Sequence, residues 1–296
     1  MQIGVQTIPQ HRSIDELVDM WRRVETAGFD LISVPDHLTP IRAGTDVAMH
    51  EAAALHLLLA ASTERVECGV LVYCAPFRPV GVLARSLATA SAVSGGRCFA
   101  GIGAGWWTPD FEMWGLPFGT VAERSDALEE VASTLGPLLR GETVSFSGHH
   151  VELRDAMCTV PDGATVPVWV AGNGERRTLP TTARHADGWN SPFTGPTELA
   201  ARNALLDELC EQAGRDPRAV RRSVNVRLAW DDEALEEVKA DMRPGAHEGI
   251  LHGSVEQVRD RVGAYADSGA ELLIIDVRHP QPTEDLLRFA EEIMGT

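Results

Sequence analysis

Apolar residues fall in short continuous runs, separated by stretches in which they return at every third or fourth position. Residues 3–8 form the first run, read as a strand closed by Pro9. Ser13 with Glu16 makes a capping box, and Ile14, Leu17, Val18, Trp21 and Val24 then mark one helical face up to Gly28. Residues 29–34 read as a second strand, followed at once by Pro35-Asp36-His37. A helix-like run over 51–62 leads to a third strand over 66–74, with the apolar positions 57–61 assigned to core. Residues 80–93 predict a helix stopped by Gly95-Gly96. A fourth strand over 98–102 runs into Gly103-Ala104-Gly105, then Trp106-Trp107 and an acidic loop ending at Gly115. Residues 122–139 are helical, with Leu128, Val131, Leu135, Leu138 and Leu139 on one face.

Residues 141–163 break this rhythm. Alternation over 143–146, then Gly148, then 151–153 suggests a hairpin excursion. The rhythm resumes with an apolar run over 166–171, typical of a strand buried on both faces. A helix over 176–185, a strand over 187–191 and a helix over 196–213 follow, then a seventh strand over 220–230. The charged segment 231–249 is left unassigned, with Glu233, Glu236 and Glu237 read as a solvated face. Ser254 and Gln257 form another capping box, ahead of an eighth strand over 271–277 and a closing helix over 284–294. Eight strands alternating with helices predict an α/β fold, a (β/α)8 TIM barrel forming a single domain over 1–296. An open doubly wound sheet is the runner-up, but no glycine-rich fingerprint follows the first strand.

Composition narrows the partners. A formal charge of −17 argues against nucleic acid and anionic membranes. The five cysteines include no CxxC pair, so neither a zinc site nor a disulfide framework is implied. The N-terminal stretch lacks a basic region followed by a long apolar one, and no apolar run reaches a membrane span. The expectation is a cytoplasmic protein with reduced thiols.

In such barrels the working residues hang off the carboxyl ends of the strands. This filter selects Gln6, Thr7 and His11, then Asp36 and His37, then Tyr73, Cys74 and Arg78. It continues with 103–107, Ala171 and 172–177, then Trp189, Asn190 and Ser191, Arg227 and Trp230, and finally Asp276, Arg278 and His279. The set is aromatic and polar with few carboxylates, which suits an organic cofactor better than a metal. His50, His56, His149 and His150 show no metal-ligand spacing and read as packed or surface side chains. Asp36-His37 is the sharpest pair, because a histidine at the mouth can move a proton at neutral pH and a carboxylate can accept a ring N–H. A plain β–α turn capped by the aspartate is the other reading. Gly172-Asn173-Gly174, with Arg176 and Arg177, opens a helix whose amides suit a phosphate, or is simply a helix start. The 103–105 glycines either let a flat ligand approach bare backbone or let the chain turn. Gln6, His11, Trp106, Trp107, Trp189 and Trp230 are the candidate lining of a substrate pocket.

Several stretches together carry a family resemblance: Gly28 through Leu38 with Val34-Pro35-Asp36-His37, Ala75-Pro76-Phe77-Arg78-Pro79, and Ser94 through Arg97 with Gly101 through Trp106. To these are added Pro167 through Gly174 and Ala183 through Asn190. The chain resembles the luciferase-like monooxygenase superfamily, and within it the oxidoreductases that use the deazaflavin coenzyme F420. That resemblance implies a barrel with an excursion after the fourth helix. It implies a ring held on a third-strand bulge, with a cis peptide at Leu71–Val72. It further implies cofactor contact by Asp36, His37 beside the transferred hydride, and phosphate binding at 172–174. The chain departs from the sugar-phosphate dehydrogenases of the family, which carry a glutamate where Trp106 stands and a tryptophan near Ile41. It also lacks the arginine that luciferases place near Ala104.

The expected activity is hydride transfer between reduced F420 and a small organic substrate at a C=C, C=N or C=O bond. Asp36 and His37 are the catalytic pair, and Asp36, Leu71, Val72, 103–105, Ala171, 172–174, Arg176 and Arg177 bind the cofactor. The alternatives are a monooxygenase using reduced FMN and oxygen, and a non-catalytic flavin-binding barrel with its mouth blocked by Trp106 and Trp107. A homodimer is the expected assembly.

Overall fold

The barrel strands run in the predicted order and close on themselves. The computed structural model describes residues 1–42, 44, 46–278 and 281–296, so His279 lies outside the described residues. The strands are β1 (Gln2–Thr7), β2 (Leu31–Val34), β3 (Glu67–Cys74), β4 (Cys98–Gly103), β5 (Val144–Ser147), β6 (Glu152–Ala156), β7 (Val168–Ala171), β8 (Gly188–Pro192), β9 (Arg221–Ala229), β10 (Ile250–His252) and β11 (Leu272–Val277). The helices are α1 (Ile14–Thr26), α2 (Ala52–Ser62), α3 (Val80–Ser94), α4 (Thr108–Trp114), α5 (Val121–Leu139), α6 (Thr178–His185), α7 (Pro196–Gln212), α8 (Asp232–Ala240), α9 (Val255–Asp267) and α10 (Thr283–Phe289). Parallel pairing runs β9-β11-β1-β2-β3-β4-β7-β8, and β8 pairs back to β9. This closed parallel sheet, ringed by helices, is a (β/α)8 barrel.

Size alternation between neighbouring strands fills the barrel interior. Phe99 stacks on Trp169 with ring centroids 4.4 Å apart, among Leu31, Leu71, Leu272 and Ile274. Room for those two rings comes from glycines at Gly69 and Gly188. A Cβ on Gly69 would lie 2.5 Å from Phe99, and one on Gly188 would lie 2.6 Å from Trp169. The larger apolar layer lies between sheet and helices, and includes Trp21, Leu55, Leu87, Leu135 and Trp189.

Four segments depart from the sequence reading. The acidic loop after the fourth strand contains α4, entered through Pro109 in its first turn. The unassigned segment contains α8 and a 3₁₀ turn over Pro244–Gly249, and β10 then adds a short strand against β9. Glu233, Glu236 and Glu237 on α8 are exposed, as read. The 57–61 run is not all core: α2 buries Leu55, His56, Leu59 and Ala60, whereas Leu57 is 38 % exposed and Ala61 is exposed. A helix turning every 3.6 residues presents only one stripe to the sheet, so a continuous apolar run must show part of itself elsewhere.

The excursion is an antiparallel hairpin of β5 and β6. Glu130 on α5 ties down its turn by accepting the backbone N–H groups of His149, His150 and Val151. Among the described residues, no helix is long and apolar enough to cross a membrane.

Candidate active site

A cavity of about 490 Å³ opens at the carboxyl ends of the barrel strands. One wall begins with an irregularity in β3. Val70 pairs with Ala100 and Tyr73 with Ile102, so Leu71 and Val72 together face the single residue Gly101. The Leu71–Val72 peptide is cis, and both residues line the cavity. The bulge presses on β4. A Cβ on Gly101 would lie 2.7 Å from the Val70 carbonyl oxygen, and one on Gly103 would lie 2.6 Å from Val72 Cγ2. The alternating glycines therefore accommodate a neighbouring strand, and only through it the cavity wall.

Polar side chains from the barrel interior form the floor. The Gln6 amide donates to the Leu71 carbonyl and accepts from Asn225. Asn190 Nδ2 donates to Asn225 Oδ1 at 2.7 Å and to Ser223 Oγ at 3.1 Å. Each member is buried and each is hydrogen-bonded, so the string sets the Leu71 carbonyl in one position.

Asp36 is bound differently from the expectation. Its side chain is fully shielded, and Arg78 engages both carboxylate oxygens, at 2.5 and 2.9 Å. Oδ2 also accepts the Cys74 backbone N–H at 3.0 Å. Glu51 binds the same guanidinium from α2's N-cap. Burial works against the charge on Arg78, but Asp36 and Glu51 outweigh it and raise its pKa. Asp36 lines the cavity with its carboxylate already held by Arg78. Its oxygens tie the β2 end to the β3 end.

His37 finds its carboxylate elsewhere. Its Nδ1 lies 2.7 Å from Asp110 Oδ2, across 73 residues of sequence. Asp110 Oδ1 accepts from Leu38 N at 2.9 Å, Thr39 N at 2.7 Å and Thr39 Oγ1 at 2.6 Å. Trp107 Nε1 donates to Thr39 Oγ1 at 3.1 Å, which locks the second indole onto the same group. Burial alone would raise the Asp110 carboxyl, but the bonds from His37 and Thr39 outweigh it and hold it below the usual range. A carboxylate only accepts, so Nδ1 carries the proton, and Nε2 has no protein partner among the described residues. Trp106, 56 % exposed, meets the imidazole edge-on at 5.8 Å. The two indoles wall the cavity rather than fill it. Sequence reasoning missed Asp110; its one local signal is Pro109 opening a helix with an acid in the first turn.

Charged side chains make the opposite wall. Asp241 Oδ2 accepts from Arg227 at 2.9 Å and from Arg278 at 2.8 Å, and Arg278 also donates to Asp276 at 2.8 Å. Asp241, Asp276, Arg278 and Arg243 line the cavity. Asp241 and Arg243 come from the segment left unassigned in the sequence.

The remaining candidates divide. Gln6, Leu71, Val72, Gly103, Ala104, Gly105, Trp106, Trp107, Ala171 and Gly172 line the cavity. Asn173 does not, because its amide clamps the β8 end through Pro192, Thr194 and Ser191. Gly174 sits behind Thr178, which lines the cavity in its place. Arg176 is exposed and outside the lining, and Arg177 turns outward to pair with Asp126 on α5. His11 is exposed, with φ of 63°, and does not reach the lining. Trp189 faces the helices, fully buried, with Nε1 donating to the Gly172 carbonyl at 2.9 Å. Trp230 packs near Phe289, with Nε1 on the Asp285 carbonyl. The pocket roles read for His11, Trp189 and Trp230 are corrected: strand parity and position past the strand end carry them away from the cavity.

Comparison with known proteins places the chain in a family. A family model described as luciferase-like monooxygenase matches residues 1–249. The chain is 29 % identical to an F420-dependent glucose-6-phosphate dehydrogenase of Intrasporangium calvum, over 99 % of this chain and 96 % of the relative. It is 31 % identical to a protein of the same name from Beutenbergia cavernae, over 83 % of this chain and 73 % of that one. A solved F420-dependent secondary alcohol dehydrogenase, in complex with an F420-acetone adduct, shares the fold. Its TM-score is 0.86 at 19 % identity, covering 99 % of this chain and 98 % of that one. The chain belongs to the luciferase-like monooxygenase family.

Proposed function

We propose that this protein is an oxidoreductase that moves a hydride between reduced coenzyme F420 and a small organic substrate carrying a C=C, C=N or C=O bond. Its support begins with relatives named as F420-dependent dehydrogenases over nearly the whole chain. The observation that carries the chemistry is His37, held at the cavity edge by Asp110 with Nε2 unclaimed among the described residues.

The residues present fit a deazaflavin. A flat apolar wall at Leu71, Val72 and 103–105 suits a planar ring. Ala171, Gly172 and Thr178 lead to the start of α6, which has no side-chain cap, so Thr178 at its first position suits the coenzyme's phosphate. When bound, reduced F420 supplies the hydride at C5 of its ring. Asp110 fixes the Nδ1–H tautomer and stabilises the imidazolium, so Nε2 holds the proton that the substrate takes up or releases. Trp106 and Trp107 shape the substrate space and limit water. Trp106 in place of an acid, and Ile41 at the cavity wall, favour a planar or apolar substrate over a sugar phosphate.

Anaerobic incubation with reduced F420 and a panel of carbonyl, imine and activated-alkene substrates tests this reading. Substrate-dependent return of the oxidised coenzyme's visible absorbance is expected. Turnover only with reduced FMN and oxygen would overturn it in favour of a monooxygenase, and no turnover with either would favour a binding barrel. We also propose a homodimer, supported by exposed Leu57 on α2 and exposed Val82 and Val93 on its neighbour α3. Light scattering at the mass of one chain would refute that.

A further inference from the structure

A second chemically active cluster lies at the opposite end of the barrel. Cys68 and Cys98 are register partners at the amino ends of β3 and β4, and their side chains belong to the layer beneath the helices. Their sulfurs are 3.6 Å apart. Ser94 Oγ on α3 lies 3.3 Å from the Cys98 sulfur. His56 on α2 completes the group, with the ligand atoms of all three residues within 4.8 Å of one another.

That trio resembles a metal site, but the histidine is already committed. Its Nε2 lies 3.2 Å from the Cys68 carbonyl oxygen, which can only accept, and its Nδ1 lies 3.0 Å from the Tyr73 hydroxyl. With Nε2–H donating and Nδ1 accepting, neither nitrogen keeps a lone pair for an ion. What remains is a pair of thiols facing each other, with Cys68 Sγ also 3.9 Å from the Arg97 carbonyl oxygen. The other three cysteines, Cys74, Cys158 and Cys210, have no sulfur within hydrogen-bond reach among the described residues.

We propose that Cys68 and Cys98 form an oxidisable dithiol, closing to an intramolecular disulfide with hydrogen peroxide as the oxidant and stapling β3 to β4. Neighbouring strands lie about 4.8 Å apart, inside the roughly 4.4–6.8 Å Cα window that a disulfide spans. The sulfurs then need only close to about 2.05 Å. Cys98 is the nucleophile, because the Cys68 hydrogen bond, with help from the Ser94 hydroxyl 3.3 Å away, outweighs burial and lowers its pKa. Cys68 is pushed the other way by donating that bond and by burial. The Cys98 thiolate attacks one peroxide oxygen, the O–O bond breaks, and the departing hydroxide leaves as water with the thiol's proton. The Cys68 sulfur then attacks the resulting sulfenic sulfur, the S–O bond breaks, and a second water leaves with the Cys68 proton. Both thiols are oxidised, and one peroxide is reduced to two waters.

This inference does not depend on the coenzyme, and neither does its test. The full-length reduced protein is treated with graded peroxide, quenched, denatured, alkylated, digested and sequenced by tandem mass spectrometry. The expected product joins the Cys68 and Cys98 peptides, is lighter than their sum by two hydrogens, and is reversed by dithiothreitol. Fragment ions distinguish Cys68 from Cys74 on the same peptide. Cys98→Ala should abolish the cross-link and leave Cys68 open to alkylation. The proposal is overturned if Cys68 and Cys98 both alkylate fully at doses that oxidise Cys158 or Cys210. It is equally overturned if Cys98 proceeds to sulfinic acid with Cys68 still free, or if neither reacts at doses that fully oxidise glutathione. The wild-type map alone decides, so poor folding of the variant leaves the test intact.

Discussion

Asp110 Oδ2 stands 2.7 Å from His37 Nδ1, so the catalytic histidine proposed on one β–α loop is set by a helix on another. Leu38 and Thr39, the two residues after the histidine, bond to the same carboxylate. The loop is therefore gripped at three successive residues, and the imidazole is positioned before any ligand arrives.

Replacing the histidine should remove proton transfer while leaving the coenzyme wall intact. His37→Ala is expected to lower kcat by about 10²–10⁴-fold, with coenzyme affinity little changed. Asp110→Asn should lower it by roughly 10–100-fold, because the amide can no longer enforce the tautomer. Steady-state kinetics with coenzyme titration on both variants checks this; an unaltered kcat in His37→Ala would remove the histidine from the mechanism.

The Asp110 carboxyl also makes a pH statement. Its folded-state pKa is depressed, so its stabilising contribution is present above the usual carboxylate range and is lost as the pH falls through the folded value. The stability gap between wild type and Asp110→Asn should be constant above about pH 5 and close below about pH 4. Urea melts from pH 3 to pH 8 measure it. A gap that widens on acidification would contradict the assignment.

Arg78 neutralises Asp36 and also binds Glu51. Removing a partner from a buried ion pair strands the other charge, which costs roughly 3–5 kcal/mol. Arg78→Ala should lose about that much in urea unfolding, while Arg177→Ala, whose pair with Asp126 is exposed, should lose under about 1 kcal/mol. Equal losses would show that Asp36 is not held as described.

Gly103 leaves space that Val72 fills. Gly103→Ala should push Val72 toward the cavity at a cost of about 1–3 kcal/mol, read as a rise in coenzyme Kd of roughly 10–100-fold. An unchanged Kd with retained fold would separate the bulge from the ligand wall.

Much of this was legible in the sequence, for physical reasons that differ by element. Strands buried on both faces, such as β7 and β11, read as continuous apolar runs, and the capping boxes at Ser13 and Ser254 are local patterns. The β5–β6 hairpin announced itself by alternation. Asp110 did not, because its partner is distant and α4 is too short to show a period. Trp189 was misplaced although parity was available: it neighbours Val170, outside the barrel, whereas Trp169 points in. Asp36 is legible as a cavity residue at a strand end, but its pairing with Arg78, 42 positions away, needs the fold.

Whether this cavity takes a deazaflavin is read from parallel ultraviolet–visible titrations of the purified protein with coenzyme F420 and with FMN. Saturable perturbation of the F420 spectrum, weakened by Gly103→Ala, and distinctly weaker binding of FMN are expected. Tight FMN binding with no F420 response would contradict that reading.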